Sequence, residues 1–134
     1  MIKEYKLPFE SFVGGWFIDD KICENIIDYF NKIPEKFKSK GHSFYNDERV
    51  VNKKVKDSTD LYVTHSHYLP PFDSYREQLQ ECLESYLHRY TDADKFSKFN
   101  INEDYNIQYY KPKGGFKKWH FERCIKKNTD RVLV

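Results

Sequence analysis

The chain is 134 residues long, the size of one ordinary domain, and sets 23 Lys and Arg against 21 Asp and Glu for a net charge of only +2. That balance excludes a histone-like polycation and an acidic tail protein, while 11 Phe, 11 Tyr and 2 Trp exclude a disordered chain. No window approaches 18 consecutive apolar residues, the opening Met1–Lys6 lacks the apolar stretch of a secretory signal, and Cys23, Cys82 and Cys124 stand apart without a CxxC spacing. These features predict a single cytoplasmic domain over residues 1–134 that makes no membrane contact.

The first predicted element is a strand over Phe12–Ile18, kinked at Gly14-Gly15 and ended by Asp19-Asp20. A helix over Lys21–Lys32 follows, with Asp20 as N-cap and Ile22, Ile26, Ile27, Phe30 and Ile33 along one stripe. Residues 35–54 are polar and poorly periodic, which predicts a long loop with one strand near Arg49–Asn52. Leu61–Thr64 is a short run of strand formers. Pro70-Pro71 then punctuates the chain before a second helix over Phe72–Tyr90. Its apolar face is the clearest periodic signal: Phe72, Tyr75, Leu79, Cys82, Leu83, Tyr86, Leu87 and Tyr90, with Ser74 and Glu77 spaced as a capping box.

The last third alternates. Tyr105–Tyr110 reads as a strand, Lys111–Gly115 as a turn, Phe116–Glu122 as a second strand and Arg131–Val134 as the start of a third. Within the second strand lies Trp119-His120-Phe121-Glu122. Residues i and i+2 of a strand share a face, so an imidazole and a carboxylate would project side by side, as two ligands of a facial metal site require. His65 and His67 have the same spacing but no neighbouring carboxylate, which suits a polar strand edge better than a metal site. His88, near the end of the second helix, is placed to complement the helix dipole.

The run from Gln108 through Tyr110, Gly114-Gly115, Phe116 and Trp119 to His120-Phe121-Glu122 resembles the entry into the catalytic barrel of prolyl 4-hydroxylase-like Fe(II)/2-oxoglutarate-dependent oxygenases. Phe12–Ile18, the helix with Cys23 and Val55–Leu61 also look like the N-terminal part of bacteriophage and marine bacterial members. The resemblance implies that His120 and Glu122 are two of three iron ligands and that Tyr110 reaches the 2-oxoglutarate. It implies an α+β chain in which helices pack on an antiparallel sheet, the N-terminal portion of a double-stranded β-helix, or jelly roll. The implied cofactor is Fe(II), with 2-oxoglutarate and O2 as co-substrates and ascorbate as a further candidate. The implied activity couples conversion of 2-oxoglutarate to succinate with hydroxylation of a C–H bond in a peptide or small molecule. The family carries Asp more often than Glu at the carboxylate position. Its distal His and its basic anchor for 2-oxoglutarate lie on later strands than these residues reach. The expectation is therefore an incomplete site, weak Fe(II) binding and little turnover.

Charge supplies a separate argument for an anionic ligand. Between Lys111 and Arg131 eight basic side chains face only Glu122 and Asp130, with Tyr109, Tyr110, Phe116, Trp119 and Phe121 interleaved. The same pattern suits a phosphate backbone and stacked bases. A nucleic-acid-binding module and a non-catalytic interaction fragment are thus the alternatives to an oxygenase, although nucleic acid is the less expected partner. Unless the chain is a fragment of a longer protein, the open edge left by the final strand further predicts a homodimer formed by strand pairing or exchange.

Overall fold

A computed structural model describes residues 2–46, 48–95, 101 and 103–120. It combines two helices with several antiparallel sheets, an α+β arrangement. The chain divides into two units: Met1–Lys32 with Thr64–Glu103, and Ile33–Val63 with Asp104–Val134. Both helices fall in the first unit and the largest sheet in the second. No helix among the described residues is long and apolar enough to cross a membrane.

In the first unit, strands β1 (Lys3–Tyr5) and β2 (Gly15–Phe17) pair antiparallel, Glu4 opposite Trp16. The strand expected over Phe12–Ile18 is thus only three residues long. A 3-10 turn at Phe9–Ser11 precedes it and ends on Phe12 in the left-handed conformation, φ 55°, which takes Phe12 out of any strand. Helix α1 spans Asp20–Lys32. Its cap is Asp19, one residue before the expected Asp20: Asp19 Oδ1 accepts from Lys21 N at 2.8 Å and its carbonyl accepts from Ile22 N at 3.0 Å. Phe30 is buried, whereas Ile27, expected on the apolar stripe, is 59% exposed. The expected Ile22, Ile26 and Phe30 do face inward, and Cys23 and Tyr29 join them in place of Ile27.

Helix α2 spans Phe72–Arg89, within one residue of the expected bounds, and every residue of its expected apolar face is buried or half-buried. Ser74 is not its cap. Pro71 holds that position without a side-chain hydrogen bond, and Ser74 N donates to Asp73 Oδ1 at 2.7 Å inside the first turn. Phe72, 2% exposed, is met edge-on by Tyr29 of α1 at 5.1 Å. At the far end of α2, Tyr86 and Tyr90 hydroxyls donate to the carbonyls of Phe12 and Phe9, each at 2.9 Å. Arg89 donates to Leu7 O at 2.6 Å and to Glu4 at 2.7 Å.

The second unit is built from short strands: β3 (Ser39–Lys40), β4 (Ser43–Tyr45), β5 (Glu48–Val50), β6 (Lys56–Asp57), β7 (Thr59–Val63), β8 (Tyr105–Tyr109) and β9 (Gly115–Phe116). The polar stretch expected as a loop with one strand near Arg49–Asn52 holds β5 close to that place, and beyond the expectation β4, which pairs with β5, and the edge strand β3. Strand β7 lies at the centre of a β3-β7-β8 sheet, with Leu61 opposite Ile107 and Asp60 opposite Gln108. Strand β9 pairs with β6, Phe116 opposite Lys56. Between β8 and β9 the chain turns through Lys113 at φ 69° and closes with Gly114 N to Lys111 O at 2.7 Å. A Cβ at Gly114 would sit 2.8 Å from Lys111 O and 2.9 Å from Asp57 O, so glycine is required there.

The strand expected over Phe116–Glu122 is shorter than its alternation suggests. It ends at Phe116; Lys117 N still donates to Val55 O at 2.7 Å, and Lys118–His120 leave the ladder. Glu122 and the strand expected at Arg131–Val134 lie outside the described residues.

Candidate functional site

Strand phase sorts the β7–β8 ladder into two chemically different faces. Thr59, Leu61, Val63, Tyr105 and Ile107 share one, and Leu61 and Val63 are 5% and 6% exposed. Asp60, Tyr62, Asn106 and Gln108 share the other, and Tyr110, one step past β8, continues it by donating its hydroxyl to Gln108 Oε1 at 2.7 Å. The polar face therefore ends on the tyrosine that the sequence singled out.

A buried ion pair lies at the heart of that face. Asp60 is fully buried and Lys56 is 4% exposed. Lys56 Nζ is 2.9 Å from Asp60 Oδ2, Ser58 Oγ donates to Oδ1 at 2.6 Å, and Asn106 Nδ2 approaches Oδ2 at 3.3 Å. Two charges out of water are tolerated only when each finds the other and the remaining lone pairs are satisfied. Here both conditions hold. Asn106 Nδ2 also lies 3.4 Å from the Tyr62 hydroxyl, which in turn lies 3.5 Å from His42 Nδ1. Burial lowers the His42 pKa, helped by the charges of Arg49 and Lys56 and opposed by Asp60. Burial raises that of Tyr62, with Asp60 adding to the effect. Ser39 Oγ, on the strand beside Asp60, and Asn106 Oδ1 are buried with no hydrogen-bond partner among the described residues, so the face keeps polar capacity beyond the ion pair.

None of Lys56, Asp60, Asn106, Tyr62 or His42 was expected as a site residue, although Lys56 and Asp60 fall within Val55–Leu61, quoted above only for its resemblance. The available signal was alternation: Asp60 and Tyr62 alternate with Leu61 and Val63, and Asn106, Gln108 and Tyr110 with Ile107 and Tyr109.

His120 follows β9 on an exposed segment. Its ring stacks on Phe116 with centroids 3.8 Å apart and planes 10° from parallel. Its Nδ1 lies 3.1 Å from the carbonyl of Lys118. A carbonyl only accepts, so this contact places the proton on Nδ1 and the lone pair of the neutral ring on Nε2. The shared-face argument for His120 and Glu122 assumed a strand through both, and the ladder stops at Phe116. Among the described residues no three His, Cys, Asp or Glu side chains are grouped to hold a metal ion. His120 is the one expected ligand they contain.

The second histidine pair has a structural role on one side. His65 and His67 lie in a turn closed by His67 N to Thr64 O at 3.0 Å, not on a strand. The His67 ring packs against Phe72 at 5.6 Å and Tyr29 at 6.4 Å, and the His65 carbonyl accepts from Arg76 at 2.9 Å.

Comparison of the chain with family models, with curated proteins and with solved structures finds no match in any of the three.

Proposed function

We propose that this chain carries part of the iron site of an Fe(II)/2-oxoglutarate-dependent hydroxylase of the prolyl-hydroxylase type, with His120 and Glu122 as ligands and Tyr110 toward the 2-oxoglutarate. The observation that carries the reading is the Lys118 carbonyl at His120 Nδ1. Metal-ligating histidines characteristically donate their second ring N–H to a carbonyl or carboxylate, which fixes the tautomer and presents the other nitrogen to the metal. The polar face ending at Tyr110 is a second support, since the jelly-roll reading needs a polar barrel interior beside that tyrosine. The fit reaches one ligand among the described residues. A third ligand must come from outside them, in keeping with the expected weak site.

The bound iron and 2-oxoglutarate would supply the oxidative chemistry. The chain's own share is to ligate, to orient and to exclude water. His120 offers Nε2 in a ring held by Phe116, and Tyr110 holds its hydroxyl on Gln108, from which it can turn to a carboxylate.

Anaerobic Fe(II) titration followed by tryptophan fluorescence tests the reading, because Trp119 adjoins His120. Weak, chelator-reversible binding that falls at least tenfold in His120→Ala and in Glu122→Ala supports it. Equal affinity in all three proteins overturns it. Exposure of Lys117, Lys118 and Trp119 favours the nucleic-acid alternative. Steeply salt-dependent binding to single-stranded DNA, unmoved by chelator, would put that reading in its place.

A further inference from the structure

We infer that Arg49, Tyr62 and Phe44 form a binding site for the carboxylate of a small aromatic acid, at the exposed end of the buried polar network. The site rests neither on His120 nor on a metal. Arg49 lies on β5 directly opposite Phe44 on β4, so their side chains leave the hairpin on one face. Tyr45 and Glu48, one step along, leave it on the other. The His42 ring meets Phe44 edge-on at 5.4 Å and lies 6.2 Å from the Tyr62 ring, which joins this hairpin face to the polar face of β7.

Two donors here are uncommitted. Arg49 is exposed and makes no hydrogen bond or ion pair among the described residues. The Tyr62 hydroxyl has only His42 Nδ1 at 3.5 Å and Asn106 Nδ2 at 3.4 Å. Both contacts are long beside the roughly 2.7–2.8 Å of a good hydroxyl bond, so the O–H is available to a better acceptor. Burial and then Asp60 raise the Tyr62 pKa against the pull of Arg49, which keeps the proton on the hydroxyl. Burial, then Arg49, then Lys56 lower that of His42, so its ring is neutral at pH 7 and adds no charge. The guanidinium charge thus acts on both rings.

Charge then selects the ligand. Asp60 is matched by Lys56 at 2.9 Å, which leaves the single positive charge of Arg49 over the group. One guanidinium grips a carboxylate through two parallel N–H bonds, and the neutral phenol supplies a third donor. A phosphate dianion would lack a second counter-charge. Phe44, 45% exposed, offers a ring against which a flat apolar body packs. An apolar wall with a few converging polar groups is the usual make-up of a small-ligand site.

The test titrates benzoate into the unsubstituted protein, Arg49→Gln and Tyr62→Phe at constant ionic strength and pH 7.5. The carbon-bound ring protons of His42, which adjoin the site without holding the ligand, are followed by NMR, and thermal melting is the folding control. Benzyl alcohol serves as the uncharged counterpart and inorganic phosphate as the dianion without a ring. No iron is added, so the outcome does not depend on the proposed hydroxylase activity. Expected are a saturable benzoate shift in the unsubstituted protein, binding about tenfold weaker in Arg49→Gln and severalfold weaker in Tyr62→Phe, and no saturable shift with benzyl alcohol. Absence of a saturable benzoate shift in the unsubstituted protein overturns the inference, as does equal benzoate affinity in Arg49→Gln. Benzyl alcohol or phosphate binding as tightly as benzoate overturns the carboxylate class. Should Tyr62→Phe fail to fold, Arg49→Gln decides alone, since the Arg49 side chain is exposed and its loss leaves the buried network intact.

Discussion

In the helical unit, the polar atoms of Tyr86, Tyr90 and Arg89 reach backbone carbonyls of the segment before α1, and their apolar bodies form the packing surface. In the sheet unit, Lys56 and Asp60 are themselves the buried groups. The first arrangement gives each polar tip a backbone carbonyl at the edge of an aromatic cluster, and Arg89 a partly exposed Glu4 as well, so losing one bond leaves a group that water can still reach. The second puts two formal charges where water cannot replace a missing partner. The lesson is that the kind of group and the depth of its burial set the risk: helical packing degrades by steps, while the sheet network fails when one member is removed.

Breaking the second arrangement should have the largest effect. Asp60→Ala strands the Lys56 ammonium, and chemical denaturation should show a loss of about 4 kcal/mol. The double variant Lys56→Met/Asp60→Leu removes both charges and should lose distinctly less; a double loss as large as the single would show that packing, not charge, holds this face. In the helical unit, Phe72→Ala empties the most buried aromatic position, against Tyr29 and His67, and should cost about 3 kcal/mol by the same measurement. Tyr86→Phe deletes only the hydroxyl bond to Phe12 O and should cost about 1 kcal/mol. A loss near that of Asp60→Ala would erase the contrast between the units.

The smallest effect is a pH dependence. His42 has a pKa below its ordinary 6.5 in the folded chain, chiefly through burial and then through Arg49 and Lys56. The unfolded chain therefore takes up the proton more readily. The stability contributed by neutral His42 is complete above pH 6.5 and declines as pH falls from there toward the lowered folded value. The difference in unfolding free energy between the unsubstituted protein and His42→Gln, followed from pH 7.5 to 5, should shrink in that direction. A flat difference would detach His42 from the charged face.

Much of the helical unit is legible in the sequence because its signals are local. The stripe from Phe72 to Tyr90 repeats at helical spacing over five turns, and α2 follows it to within one residue. Helix α1 was legible in extent but not in detail: Asp19 and Asp20 are equal as caps by composition, and the backbone chose Asp19. Ile27 matched the stripe, yet the face through Cys23 and Tyr29 turned inward. In the sheet unit the turn at Lys111–Gly115 was legible because glycine is required there, and the polar alternation around Tyr110 was written in β8. The length of β9 was not. Lys117 and Lys118 continue the alternation, but a strand lasts only as long as its partner, and β6 is two residues long.

The sequence by itself determined the α+β class, the position of both helices and the phase of the β8 strand, since period, turn residues and caps act between residues close in the chain. Only the tertiary structure decided that Lys56 and Asp60 meet in the interior with Asn106 from 46 positions beyond Asp60, and that His120 leaves the ladder to lie on Phe116. Both depend on which strands lie side by side. A charged residue in a strand pattern reads as solvent-facing until a partner strand covers it, and a histidine beyond a strand has no fixed direction until a neighbouring ring supplies one.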